Sequence, residues 1–345
     1  MKISNPAPIN NQCFSLRSSA SFASLRLAFI FGLCFAAHWP AGADAAENYP
    51  ARPIRFILPY PPGGGNDFVG RVIAVRLAEK IRQQVVVDNR GGAHGIIATD
   101  LTAKSPPDGY TILLGGTGHA FNPYMYNKLP YDTEKDFAPI ILAAIAPNVL
   151  VLHPAVAAAS IKELIALARA NPQRLHFGSA GSGGNSHLAG ELFRMQAAIE
   201  LVHVPYRGTA PAATALLAGE VQMMFSTLPP VLQHVRATKL RAIAVTGAKR
   251  SAALQDVPTI AESGLPGYEA TGWWGILAPG KTPPGIVSTL NAEIVKVLNS
   301  DETKAQLNRE GVEAGGGTPA QFAAHIRSEG RKWAPVIKAA NIKGE

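Results

Sequence analysis

A glycine-rich turn between a short apolar run and an amphipathic stretch decides the fold class of this chain. The apolar run is Ile54-Arg-Phe-Ile-Leu58, and the turn that follows it is Pro59-Tyr-Pro-Pro-Gly-Gly-Gly-Asn-Asp67. Apolar residues then recur at helical spacing from Val69 to Ile81. A short run rich in β-branched residues is typical of a buried parallel strand, and a period of 3.6 residues indicates a helix. This stretch therefore predicts a strand, a turn and a helix.

The same order of strand and helix recurs along the rest of the chain. Further strand-like runs are Val85–Val87, Tyr110–Leu114, Val149–Leu152, Leu201–Val204, Val221–Phe225 and Leu240–Val245. The predicted helix N-caps are Asn66 or Asp67, Asn185 or Ser186, Thr209, and Thr318 with Pro319 at the first helical position. This alternation predicts an α/β fold of mainly parallel sheet flanked by helices. The 302 residues that remain without the first 43 (345 − 43), with about ten strands, favour two sheets over one.

The first 43 residues have the three parts of a secretory signal peptide. Met1–Arg26 contains basic residues and no acidic ones, Leu27–Ala37 is continuously apolar, and Ala41-Gly-Ala43 matches a cleavage site. The apolar part is too short to span a bilayer, which takes about 20 residues, so we expect no permanent membrane anchor. Cleavage after Ala43 would also remove both cysteines, Cys13 and Cys34.

Charge and cysteine content exclude several classes of function. The net charge is +8, but the basic residues are scattered and never more than two are adjacent, which argues against nucleic-acid binding. Two cysteines cannot form a disulfide scaffold or a four-thiolate zinc site. His187 and Glu191 have helical i,i+4 spacing but lack a third ligand, so we interpret them as a surface pair and predict no metal.

Three glycine-containing segments are interpreted as strand-to-helix turns: Pro59–Asp67, Gly178–Ser186 and Pro205–Pro211. In open α/β sheets, ligands bind beyond the carboxyl ends of the strands, where such turns lie. Glycines let the backbone approach a ligand, and the free N–H groups of the following helix attract an anion. The turns therefore predict a cleft for a carboxylate or a phosphate. None of them contains a P-loop, a dinucleotide fingerprint or a G-x-S-x-G nucleophile motif, so we predict no cofactor.

Two further features admit two interpretations each. Trp273-Trp274 fits the wall of a pocket, but one face of this strand-like run is also typical of a core. His119 follows Gly115-Gly-Thr-Gly118 at the end of a predicted strand, where it is either a donor to an anion or a structural residue.

Motifs along the whole chain beyond the leader resemble, in order, those of the tripartite tricarboxylate transporter substrate-binding proteins, also called the Bug family. The similar segments include Pro59–Asp67, Val86–Gly91, Ser105–Thr111, Lys128–Asp132, Ser179–Phe193, His203–Ala212, Leu240–Thr246, Val257–Tyr268 and Trp274–Pro279. The resemblance implies a monomeric, non-enzymatic periplasmic solute-binding protein that closes on a small carboxylate and delivers it to transporter subunits or a sensor. It also implies a two-lobed periplasmic-binding-protein-like fold, with residues 47–145 and 268–345 in the first lobe and residues 146–267 in the second.

In this family a carboxylate is held between one loop from each lobe, which here implies Tyr60–Asp67 and Ser179–Ser186. The residues that the resemblance assigns to the cleft are Tyr60, Gly63, Gly64, Gly65, Asn66, Asp67, Thr117, His119, Ser179, Gly181, Ser182, Asn185, Ser186, Tyr206, Gly208, Thr209, Ser226 and Thr227.

One departure from the family bears on the ligand. Many members carry an aspartate where this chain has Ser226, and members that bind amino acids can use it for the ammonium group. Its absence favours a ligand without an amino group. The alternative to a binding protein is a secreted α/β hydrolase-like enzyme, for which Ser182, His187 and Glu191 are the available candidates.

Overall fold

The computed structural model describes residues 49–344. The predicted signal peptide and both cysteines lie outside these residues. Among the helices of the described part, none combines the length and the apolar character needed to cross a membrane.

Strands and helices alternate as predicted. Within residues 49–344 the strands are β1 (Ile54–Leu58), β2 (Val85–Asn89), β3 (Thr111–Gly116), β4 (Phe137–Leu152), β5 (His176–Ser179), β6 (Val202–Pro205), β7 (Met223–Thr227), β8 (Arg241–Val245), β9 (Thr271–Pro279) and β10 (Glu313–Gly316). The helices are α1 (Gly65–Ile81), α2 (Ile96–Ala103), α3 (Thr117–Met125), α4 (Ile161–Ala170), α5 (Asn185–Ala197), α6 (Thr209–Leu217), α7 (Leu232–Arg236), α8 (Pro284–Asn299), α9 (Asp301–Arg309) and α10 (Pro319–Ala339). The α/β class is confirmed.

The strands lie in the order β2-β1-β3-β9-β4-β7-β5-β6, with β8 and β10 also pairing with β4. The pairs β1–β2, β1–β3, β5–β6 and β5–β7 are parallel. In contrast, β4 is antiparallel to β7, β8, β9 and β10, so the sheet is mixed at its centre. The long strand β4 connects two groups of strands, because its first part pairs with β9 and β10 and its last part pairs with β7 and β8.

The sequence predicted only the last four residues of β4. The preceding part contains Pro139 and Pro147, and the register with β9 shifts between Pro139 and Ile141. Proline cannot donate to a ladder and argues against a central strand, and a bulge interrupts the alternation that marks one. These two effects hide the first part of β4 from pattern analysis.

Most of the predicted N-caps are wrong. Helices α1, α5 and α6 begin after Gly64, Gly184 and Gly208, one to three residues earlier than expected. The side chains expected to cap them bond elsewhere: Asp67 and Ser186 lie inside the first helical turn and accept from the preceding loop. Thr318 is confirmed as the N-cap of α10, where it forms a capping box with Gln321, and Pro319 is at the first helical position.

Candidate functional site

A cavity of about 120 Å³ lies beyond the carboxyl ends of β1, β3, β5, β6 and β7. Asn148 of β4 and Gly272 of β9 also line it, near the end of the antiparallel ladder that these two strands form. This is the place where ligands bind in open α/β sheets. The sequence-predicted residues in its wall are Tyr60, Gly64, Gly65, Asn66, Thr117, Asn185, Ser186, Gly208, Thr209, Ser226 and Thr227.

Among the described residues, four helices begin in this wall. Their N-caps are Gly64 of α1, Gly116 of α3, Gly184 of α5 and Gly208 of α6, and none of the four receives a side-chain cap. The first N–H groups of a helix have no partner within the helix, and the helix dipole places partial positive charge there. Four such ends around one cavity are chemically suited to an anion.

The first loop, residues 60–67, is held in place by the carboxylate of Asp67, which does not itself line the cavity. Asp67 accepts from the backbone N–H of Gly63 at 3.1 Å, from Arg71 Nε at 2.9 Å and from Asn89 Nδ2 at 3.1 Å. Partial burial alone would raise the pKa of Asp67, but these hydrogen bonds hold it below its usual range. The ionised side chain therefore fixes the turn that presents Gly64.

The second loop, residues 179–186, is held by bonds of the same kind. Ser186 Oγ accepts from the backbone N–H of Ala180 at 3.1 Å, and His187 Nδ1 accepts from that of Gly183 at 2.8 Å. The hydroxyl of the fully buried Ser179 accepts from the backbone N–H of Gly181 at 3.2 Å. These contacts leave Ala180, Gly184 and Asn185 in the cavity wall.

Several polar atoms of the wall are buried without a hydrogen-bond partner within residues 49–344. They are Asn66 Oδ1, both amide atoms of Asn185, and His94 Nε2. Asn66 uses its Nδ2 to donate to the carbonyl of Leu114 at 3.4 Å, so only its oxygen is without a partner. Because a buried unpaired polar group costs about 1 to 3 kcal/mol, a polar ligand that bonded to these atoms would recover free energy on binding.

The charge of the wall favours an anion. Of the side chains that line the cavity within the described residues, Arg207 is the one that carries a full charge at neutral pH, and no acidic side chain lines it. Arg207 is exposed, and residues 49–344 offer it no ion pair. Burial lowers the pKa of His94 to about 4, and the nearby His187 adds to the effect, so His94 is neutral at pH 7.

The apolar side chains of the wall are Pro61, Pro62, Ala180, Ala210, Pro211, Trp273 and Trp274. Both interpretations of the tryptophan pair hold. Trp273 is only 2% exposed and its Nε1 donates to Glu329 at 3.2 Å, so it belongs to the core as well as to the cavity.

Other predicted site residues lie outside the wall. They are Gly63, Asp67, His119, Ser179, Gly181, Ser182 and Tyr206. His119 packs edge-on against Phe137 with ring centroids 4.9 Å apart, and burial lowers its pKa to about 4. This placement matches the structural interpretation of His119.

Sequence reasoning did not assign His94, Gly116, Asn148 or Gly272 to the cavity. Gly116 belongs to the Gly115–Gly118 motif. Interpreting that motif as the start of a helix, instead of focusing on His119 after it, would have assigned Gly116 to the cavity. The others have no local signal, because Asn148 and Gly272 reach the cavity through the antiparallel pairing of β4 with β9, and His94 reaches it through the short segment before α2.

The interpretation of His187 and Glu191 as a surface pair is wrong. Each is 7% exposed, His187 Nε2 lies 3.7 Å from Glu191 Oε1, and Arg194 holds the same carboxylate at 2.9 Å. No cluster of three or more potential metal ligands occurs among residues 49–344.

Comparison with known proteins gives a consistent result. The family model described as the tripartite tricarboxylate transporter family receptor matches residues 69–342. The protein BugT of Bordetella pertussis is 37% identical over 92% of this chain and 98% of its own length. Two solved structures are also similar. Rpa4515 of R. palustris with adipate has a TM-score of 0.83 at 39% identity, covering 86% of this chain and 99% of that one. MatC of Rhodopseudomonas palustris with bound malate has a TM-score of 0.78 at 28% identity, covering 84% and 100%.

Proposed function

Because this chain belongs to the tripartite tricarboxylate transporter receptor family, also called the Bug family, we propose that it captures a small carboxylate in the periplasm for a membrane transporter or a sensor. The family consists of solute-binding receptors, and two relatives were solved with the carboxylates adipate and malate. The predicted signal peptide accounts for export, and the protein acts as a monomer.

The observation that carries this proposal is the meeting of four uncapped helix N-termini in one wall without an acidic side chain. Backbone N–H groups and Arg207 suit a carboxylate, whereas nothing charged in the wall suits an ammonium group. Ser226 is fully buried and donates to the carbonyl of Thr227 at 2.8 Å. The ligand is therefore a carboxylate without an amino group.

Capture proceeds by hinge closure between the two predicted lobes. The wall combines Gly64 and Gly65, from the first lobe, with Thr209 and Thr227, from the second. The two sides are close: a Cβ atom at Gly65 would lie 2.8 Å from Thr227 Oγ1. Because β4 passes from one group of strands to the other near residue 146, it is the natural hinge, and a ligand that contacts both sides favours the closed form.

The contacts of Ser182 and His187 support binding over hydrolysis. Among the described residues Ser182 has no hydrogen bond to His187, whose Nδ1 accepts from Gly183 and whose Nε2 faces Glu191. A nucleophilic serine needs a base within hydrogen-bond reach.

The test is a thermal-shift and calorimetry panel on the purified protein with adipate, malate, aromatic monocarboxylates and glutamate. A carboxylate at about 100 times its Kd should stabilise the native state by about 2.7 kcal/mol, because it binds only that state. We expect a shift with at least one acid that lacks an amino group, and none with glutamate. Absence of any shift would overturn the proposal, as would turnover of an ester panel that Ser182→Ala abolishes.

A further inference from the structure

We propose that His187 and His203 are positioning residues that hold the second loop, residues 179–186, in its ligand-binding shape as neutral imidazoles. The inference rests on the proposed function, since it assigns both rings a role at the same cavity. Neither ring lines the cavity, yet each bonds directly to the loop that does.

The hydrogen bond that His187 accepts determines which of its ring nitrogens lacks a proton. The backbone N–H of Gly183 donates to His187 Nδ1 at 2.8 Å, so Nδ1 carries no proton, and the remaining proton of the neutral ring is on Nε2, facing Glu191. Gly183 directly precedes Gly184, the uncapped N-cap of α5. The bond therefore fixes the residue next to a helix end that is offered to the ligand.

The first loop contains the same device at the same spacing. Asp67 is the third residue of α1 and accepts from Gly63, which precedes the N-cap Gly64. His187 is the third residue of α5 and accepts from Gly183, which precedes the N-cap Gly184. Each binding loop is thus tied to the first turn of its own helix, in one case by a carboxylate and in the other by an imidazole. The repeated geometry favours a role in shaping the site over incidental packing.

His203, on β6, supports the same loop from its other end. Its Nε2 lies 2.6 Å from Ser179 Oγ, and that hydroxyl also accepts from the N–H of Gly181. The rings of His203 and His187 are stacked, with centroids 3.6 Å apart and planes 8° apart. The His203–Ser179 contact and the Gly183–His187 bond, which hold the two ends of the loop, are therefore joined through the ring stack.

The surroundings of the stacked rings disfavour charge on both of them at once, and on His203 in particular. Two imidazolium rings in contact would repel each other, and Phe177 packs against His203 with centroids 4.9 Å apart. Burial lowers the pKa of His203 to about 3, with His187 acting in the same direction and Glu191 opposing it. The charge of Glu191 is already paired with Arg194, and the other titratable neighbour, His94, is neutral.

The test compares two replacements of His187 by their Kd for adipate. His187→Asn keeps an acceptor where Nδ1 stood, whereas His187→Phe keeps the ring stack and loses the acceptor. We expect the Phe variant to bind adipate about tenfold more weakly and the Asn variant to remain within about threefold of wild type. His203→Gln, which keeps a polar atom near Ser179, should likewise bind better than His203→Phe.

The chain supplies a matched control at His153, whose Nδ1 accepts from the backbone N–H of Ala155 at 3.2 Å away from the cavity. His153→Phe removes the same kind of bond and should leave the Kd for adipate unchanged. Nitrogen-15 NMR should show the Nε2–H tautomer of His187 at pH 7, and amide exchange at Gly183 should be slow in wild type and His187→Asn but fast in His187→Phe.

Binding by His187→Phe as tight as wild type, or by His187→Asn as weak as Phe, would overturn the inference, as would an Nδ1–H tautomer or an imidazolium ring. The two proposals fail differently. A wild-type protein that binds no carboxylate refutes the proposed function. Unprotected exchange at Gly183 in the wild-type protein refutes the positioning role whatever the ligand is.

Discussion

Within residues 49–344, every helix that receives a side-chain N-cap begins away from the cavity, whereas none of the helices that begin in the cavity wall receives one. Where α4, α9 and α10 begin, away from the cavity, Ser160, Ser300 and Thr318 cap them with side-chain oxygens. Helices α1, α3, α5 and α6 begin in the cavity wall with glycine N-caps and no side-chain cap. Substituting Ser or Thr caps by Ala typically costs about 1 kcal/mol, whereas a Gly cap is only a few tenths worse than Ser. The cavity helices thus leave their N–H groups for a ligand at little cost in stability.

The largest expected effect comes from adding an acid to one of the uncapped helix ends. In Asn185→Asp, a carboxylate replaces an isosteric amide at the first residue of α5, where negative charge suits the helix dipole. The protein should therefore remain folded. Like charges about 4 Å apart repel by about 4 kcal/mol at an effective dielectric constant of about 20, so affinity for a carboxylate should fall by about a thousandfold.

Calorimetry with adipate measures this loss. The matched control is Ala320→Asp, which adds the same charge to the first turn of the capped helix α10 and should leave the Kd unchanged. Equal affinity in wild type and Asn185→Asp would show that the anion does not bind at these helix ends.

Acid should destabilise the protein through histidines buried in neutral form. The pKa values are about 4 for His94 and His119 and about 3 for His203, against about 6.5 in an unfolded chain. The unfolded state therefore binds more protons than the folded state as the pH falls. The contribution of these histidines to the free energy of unfolding is fully present above about pH 6.5 and is lost as the pH drops towards 4. Each histidine contributes a slope on the order of 1 kcal/mol per pH unit.

Urea unfolding at pH 7.5, 6.5 and 5.5 measures this dependence of stability on pH. One of the three histidines, His94, also lies at an uncapped helix end of the cavity. His94 packs against the N-cap of α5, since a Cβ at Gly184 would lie 3.3 Å from its Cε1, and a cation at a helix N-terminus is unfavourable. His94→Gln should therefore reduce the slope. Stability that stays constant from pH 7.5 to 5.5 would contradict the assignment of neutral rings.

Removing a side-chain cap should affect stability alone. Thr318→Ala abolishes the capping box at the start of α10 and should lower the free energy of unfolding by about 1 kcal/mol. Chemical denaturation measures the loss, and calorimetry with adipate should give an unchanged Kd. A weaker Kd in this variant would mean that the two sets of helix ends are not independent.

Adding a cap in the cavity should have the smallest effect, with affinity and stability moving in opposite directions. Gly64 has extended backbone angles, φ −96° and ψ 175°, and the nearest atom to an added Cβ is Thr209 Oγ1 at 3.7 Å, so Gly64→Ser fits. Its hydroxyl would occupy an N–H of α1, raising stability by a few tenths of a kcal/mol and weakening adipate binding by about threefold. Tighter binding by Gly64→Ser would argue that these N–H groups do not face the ligand.

Local sequence patterns predicted many of the strands and helices. β1 has the predicted bounds, and the other predicted runs overlap β2, β3, β4, β6, β7 and β8, because a short β-branched segment between two turns is typical of a buried strand. No predicted run overlaps β5. The wrong N-caps show the limit of such patterns. Asp67 and Ser186 are good capping residues by type, but which N–H they reach depends on the path of the loop, and both reach back to it.

The amino-acid sequence by itself determined the alternation of strands and helices and the glycine turns at strand ends, since each depends on neighbouring residues, and it led us to expect an anion at those turns. Only the tertiary structure decided which helix ends meet. It brought Gly116 and His94 to the cavity, placed Asp67 and His119 outside its wall, and buried His187 beneath the second loop. The physical reason is that β4 and β9, which are far apart in the chain, pair as neighbouring antiparallel strands, and the distances between such parts are set by packing rather than by local pattern.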